Sequence, residues 1–183
     1  MEENKPHVFK LMLRILLFLV LIIGSVRPVV NHSAEQMDSQ IRNTVYSVNG
    51  IEDLVHYALS DVKNLMLIGT RNGVDTAPLE NLHKTILNTT SIYERANLLC
   101  RFSKEKPKYL SSFAASSTLS QNAKDAYLYQ GLVKRLDGFA DQPAILHYQS
   151  LCRAYYDKMQ QYLYRMLADN DLRNRVYPEV GVE

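Results

Sequence analysis

Tryptophan is absent from the 183 residues, and glycine and proline are scarce at 7 and 6. So little glycine excludes a collagen-like chain and a Gly-rich loop that cradles phosphate. Cysteine occurs only twice, with no CxxC pair and no Cys-His pairing for redox or zinc chemistry. A surplus of one charge is lacking too: 21 Lys and Arg face 19 Asp and Glu, a formal net charge of +2. A dedicated nucleic-acid binder needs a basic excess to neutralise phosphates, so nucleic acid is not an expected partner. What remains is ordinary globular composition, 46% hydrophobic and 22% charged, too apolar for a disordered chain.

The strongest local signal lies in residues 9–30. Its centre, residues 15–26, carries no charge. Adding Leu11, Met12 and Leu13 on one side and Val29 and Val30 on the other reaches the roughly 20 residues a bilayer-crossing helix requires. Arg14 and Arg27 then fall near the two interfaces, where long basic side chains snorkel to the headgroups. A cleaved signal peptide is the competing reading, with residues 1–14 as its basic region and residues 15–24 as its apolar core. It fits less well, because Ile23 is too large for a small-x-small cleavage site and Arg27-Pro28 lies just beyond. A buried core helix is the third reading. The resulting division is an N-terminal flank (1–10), a transmembrane anchor or signal-anchor (11–30), a helical domain (31–177) and a C-terminal tail (178–183). Lys5, Lys10 and Arg14 outweigh Arg27 and Arg42, which favours a cytoplasmic N-terminus and an extracytoplasmic domain in a single-pass membrane protein.

Beyond the anchor, apolar residues recur at intervals of three and four. Ile41, Thr44, Val48, Ile51, Val55, Ala58, Val62, Leu65 and Gly69 predict one helix, with Gly50 as a defect costing about 1 kcal/mol relative to Ala. Residues 71–76 supply the turn signals that stop it. Thr76-Ala77-Pro78 predicts a capped restart, and Leu79, Leu82, Ile86, Thr89, Tyr93, Ala96 and Cys100 continue as a second helix ending before Pro107. Residues 108–121 read as a loop or a poorly formed helical turn. A third helix is predicted from about 121 to 139. The fourth follows Pro143, with Ile145, Tyr148, Cys152, Tyr155, Met159, Tyr162 and Met166 on its stripe. No stretch shows the alternation of a strand. The expected fold is therefore all-α: an N-terminal transmembrane helix followed by an antiparallel bundle of about four helices.

No constellation for chemistry emerges. The five histidines are isolated, no HExxH occurs, and Glu80-Asn81-Leu82-His83 is a lone Glu-x-x-His where a di-iron bundle needs two and further acids. There is no P-loop and no nucleophile elbow. No catalytic residue, cofactor or metal ligand is assigned, and the chain is read as non-enzymatic. Cys100 and Cys152 each fall on an apolar stripe, either as small buried thiols or, in an oxidising compartment, as a disulfide joining the second helix to the fourth. Asn31-His32-Ser33 and Asn88-Thr89-Thr90 match the glycosylation sequon, which matters only in a eukaryotic secretory setting.

Tyrosine is the abundant aromatic, with eight of 12 from Tyr127 onward. Tyr155, Tyr156, Tyr162 and Tyr164 form either core packing with edge-bound hydroxyls or a protein-docking face. The segment Tyr155-Tyr156-Asp157-Lys158-Met159-Gln160-Gln161-Tyr162-Leu163 resembles the C-terminal signature of the LemA family, an aromatic-led YNxxVxxYN pattern. Tyr155, Met159 and Tyr162 match its spacing, whereas Tyr156 and Leu163 stand where the family has Asn. The resemblance implies a membrane-tethered helical bundle without catalytic residues. Together these readings predict an anchored bundle that binds lipid through its N-terminal helix and an unidentified protein through its body, as a scaffold or envelope component. A homo-oligomer is equally compatible with such stripes. The alternative expectation is a sensory bundle that takes a small ligand between helices.

Overall fold

A computed structural model describes residues 5–181, with side chains from Phe9 to Gly181. Residues 1–4 of the N-terminal flank and 182–183 of the C-terminal tail lie outside the described residues. Among the described residues there are helices and no strands. The all-α expectation holds, but the four long rods are subdivided. After α1 (Lys5–Tyr46) come α2 (Ile51–Arg71), α3 (Ala77–Asn88), α4 (Ile92–Lys104), α5 (Lys106–Ala114) and α6 (Ser117–Gln121). Then follow α7 (Ala123–Asp137), α8 (Pro143–Gln160), α9 (Tyr162–Leu167) and α10 (Asn170–Arg173).

The chain divides into two compact units. One comprises residues 1–40 and 151–176, the other residues 41–150 and 177–183. Of the span 31–177, the first unit takes residues from both ends and the second takes the middle together with Tyr177.

The second unit is built on α2, which packs against α3, α4 and α7. Ile51, Val55, Val62 and Leu65 are fully buried along one face, with Ala58, Leu59 and Ile68 beside them. Each such side chain contributes roughly 1.5–3 kcal/mol relative to an exposed one. Gly69 ends that face for a steric reason: a Cβ there would stand 2.5 Å from the Thr76 methyl and 2.7 Å from the Phe113 ring. The sequence stripe fails at Val48, which is 85% exposed. α1 stops at Tyr46, Asn49 takes a positive φ of 61°, and the buried face passes from Val45 to Ile51. Gly50 is thus no mere defect. A Cβ on it would sit 2.7 Å from two helix-terminal carbonyl oxygens, Ser47 O and Val45 O.

The predicted second helix likewise breaks at Thr89-Thr90 into α3 and α4, and Ser91 caps α4 by accepting the Glu94 N–H. Thr76 does not cap α3. Its hydroxyl donates to Glu80, and Asp75 accepts the Ala77 N–H instead. The uncertain stretch 108–121 is helical, forming most of α5 and all of α6, with Leu110, Phe113 and Leu119 buried. Residues 178–181 of the tail are fastened down. Tyr148 and Gln149 donate to the Pro178 and Val180 carbonyls, and Asn97 both donates to Glu179 O and accepts from Gly181 N–H.

In the first unit, every residue from 9 to 25 on α1 is exposed. Burial begins at Val30 and continues through Ala34. α1 is the one helix among the described residues that is long and apolar enough to cross a membrane. Pro28 lies inside it, where a missing N–H leaves the Gly24 carbonyl without its usual partner.

Candidate interaction surfaces

In the first unit, the segment 151–176 is tied to α1 by polar rungs. Lys158 Nζ donates to Ser33 Oγ at 2.8 Å. Asp169 takes the Arg27 guanidinium at 2.6 Å and the Asn31 amide at 2.8 Å, and Asn31 Oδ1 accepts the Asp169 N–H at 3.0 Å. Arg175 pairs with Asp38 at 2.5 Å. The Arg27 hydrogen bond, then that of Asn31, holds the Asp169 carboxyl below its ordinary range. Both ends of the Asn31 amide are engaged, so this sequon residue is committed to the fold. Asn88 is exposed at the end of α3.

The four tyrosines singled out in the sequence separate by environment. Tyr155 is fully buried, and its hydroxyl donates to Leu172 O at 2.6 Å. Tyr156 is half-buried and meets the Tyr155 ring edge-on, with centroids 6.2 Å apart. Tyr164 is half-buried with Lys158 Nζ 5.1 Å from its ring centre, a cation–π distance. Tyr162 is 75% exposed. The stripe predicted through Tyr162 and Met166 therefore ends at Met159. α8 stops at Gln160, Gln161 is extended, and both later residues point to the outside.

In the second unit, α2 and α7 enclose a cleft of about 600 Å³. Its floor includes Ile68 and Leu132, its walls Leu67, Tyr127 and Leu128, and its open centre Gly131. An arginine stands at each end. Arg71 pairs with Asp125 at 2.9 Å. Arg135 grips Asp61 through two hydrogen bonds of 2.7 and 2.8 Å, which raise the Arg135 pKa above its already high value. Asp125 is itself buried and also accepts from Asn72 and Asn122, so its charge is fully partnered. Sequence reasoning passed over this cleft because Leu67, Tyr127 and Leu128 lie off the core stripes. Apolar residues outside the packing face are the signal that marks it.

Cys100 and Cys152 are both buried as thiols. Burial pushes the Cys100 pKa up to about 11, so it holds its proton at neutral pH and is a poor nucleophile. Among the described residues, no group of three or more His, Cys, Asp or Glu side chains is arranged to hold a metal ion. No protein family, curated protein or solved structure matches the chain.

Proposed function

We propose that the chain is a single-pass, membrane-anchored helical module that binds another protein. One observation carries the anchor: an unbroken helix whose residues 9–25 are entirely exposed, with 15–24 wholly apolar, and which becomes a packed element only at Val30. Leaving so many large apolar side chains in water is costly, and a bilayer is the medium that covers them on all sides. The basic residues Lys5, Lys10 and Arg14 favour a cytoplasmic N-terminus, with the folded units across the membrane. The binding half of the reading rests on the α2–α7 cleft, whose exposed apolar residues Leu67, Tyr127 and Leu128 suit an amphipathic helix from a partner. The LemA resemblance agrees with a tethered helical module of this kind. Photo-crosslinking from position 128 in native membranes tests it: a discrete adduct is expected, lost when Leu67 is replaced by Glu and absent from a probe at exposed Lys84. Equal adducts from both positions would contradict the cleft.

A small-molecule sensor is the second reading. The cleft volume lies within the range of ligand sites, and its walls are largely apolar. A thermal shift with small apolar compounds, abolished by Leu128→Glu, would favour it over a protein partner.

A further inference from the structure

The rungs of the first unit fix the level of each segment along α1. A helix rises about 1.5 Å per residue. The chain meets α1 at Ser33 through Lys158, drops to Arg27 and Asn31 through Asp169, and returns to Asp38 through Arg175. The Tyr155–Leu172 hydrogen bond joins the descending and ascending legs. The segment between residues 158 and 169, α9 included, is therefore tethered at one end near Ser33 and at the other near Asn31 and Arg27. It sits where α1 passes from packed to wholly exposed.

This segment carries exposed apolar side chains: Tyr162 at 75%, Leu163 at 55% and Met166 at 59%. Beside them is a cleft of about 770 Å³ lined by Tyr156, Gln160, Arg165, Asn170, Arg173 and Asn174, with Met159 at its back. Arg173 is held in place by donating to the Arg165 carbonyl at 2.6 Å and to the Asn170 side chain. The nearby charge of Asp169 is taken up by Arg27.

We infer that α9 is a second membrane contact, with Tyr162, Leu163 and Met166 seated at the headgroup–acyl boundary and Arg165 and Arg173 facing anionic lipid phosphates. This rests on the proposed anchor, since Asp169, two residues past α9, is held by Arg27 at the upper end of the exposed stretch of α1. A tyrosine beside aliphatic residues is the composition of an interfacial contact, with the ring in the hydrocarbon margin and the hydroxyl in water. Guanidiniums bind phosphate through paired donors. A protein partner is the competing occupant, but the tie of Asp169 to Arg27, beside the exposed apolar stretch of α1, favours the bilayer.

The absence of tryptophan makes the test clean. Full-length chains carrying Leu163→Trp, Met166→Trp, Leu19→Trp or Ser39→Trp are reconstituted into phosphatidylcholine bilayers with and without phosphatidylglycerol. The lipids are brominated either near the headgroup or at mid-chain. Residues 163 and 166 are exposed, so these substitutions leave the packing untouched. Bromine near the headgroup should quench both by roughly twofold or more relative to position 39, more strongly with phosphatidylglycerol. Mid-chain bromine should quench position 19. Arg165→Gln should remove the phosphatidylglycerol dependence; if the dependence survives, the arginine part is overturned. Quenching at 19 with none at 163 and 166 overturns the contact and leaves the anchor standing. No quenching at 19 overturns the anchor itself, and this inference with it.

Discussion

The lower part of α1 and the whole of α2 are both rich in aliphatic residues, yet they meet opposite surroundings. Residues 15–24 are apolar on every side and exposed on every side. α2 carries most of its apolar residues on one buried face, with Leu67 and Tyr57 exposed outside it, and sets Glu52, Lys63, Asn64 and Arg71 elsewhere. Apolarity alone therefore does not indicate where a helix ends up. An all-round apolar surface asks for a surrounding solvent of lipid, whereas a stripe asks for a protein neighbour.

The sharpest break in that comparison comes from removing the same side chain in both places. Leu65→Ala in α2 should lower stability by about 2–5 kcal/mol, because it leaves a cavity in a site with no solvent access. Leu19→Ala should leave the thermal unfolding of the detergent-solubilised protein within about 0.5 kcal/mol of the parent, since it has no protein neighbour to lose. Equal losses would mean that residues 9–25 are packed against protein.

A charge sharpens the comparison from the other side. Leu19→Arg should cost about 2.5–3.5 kcal/mol of insertion free energy at mid-span and shift protein from membrane to soluble or degraded fractions. Chemical denaturation of the folded units should be unchanged. Next in size is Gly69→Ala, where a methyl would collide with the Phe113 ring and the Thr76 methyl. Overpacking of this sort costs typically 1–3 kcal/mol and should appear as a lowered melting temperature. Gly24→Ala on the exposed stretch, with open space around its Cβ, should have no such effect.

The smallest effect concerns the clasp at the boundary. Asp169 has a lowered pKa in the folded state, so its contribution is present above the ordinary value of 3.8 and lost as pH falls through the folded value. Hydrogen exchange in α9 should therefore rise below about pH 4, ahead of the second unit. In Arg27→Gln it should already be raised at neutral pH.

Much of this architecture was legible in the sequence. The exposed apolar stretch follows from its uncharged length, and the buried positions Ile51, Val55, Val62 and Leu65 and the helix α7 from periodicity. The breaks did not, and the reason is arithmetic. Residues 44, 48 and 51, residues 86, 89 and 93, and residues 159, 162 and 166 keep the three-four spacing although the chain turns within each set. A turn that conserves the count is invisible to a periodicity test. Asn49-Gly50 was the one turn signal present, and the close carbonyl contacts of Gly50 show its weight. Gln160-Gln161 offered none. The docked segment 178–181 was hidden for another reason: its ties are side-chain bonds to an extended backbone, which leave no pattern. The α2–α7 cleft depends on which off-stripe residues two separate helices bring together.

Alkaline carbonate extraction of cell membranes, followed by mass measurement of the retained chain, tests the central claim most directly. The account predicts the full-length polypeptide in the membrane pellet, its apolar helix intact. A chain recovered in the soluble fraction and shortened to begin near residue 26 would contradict it.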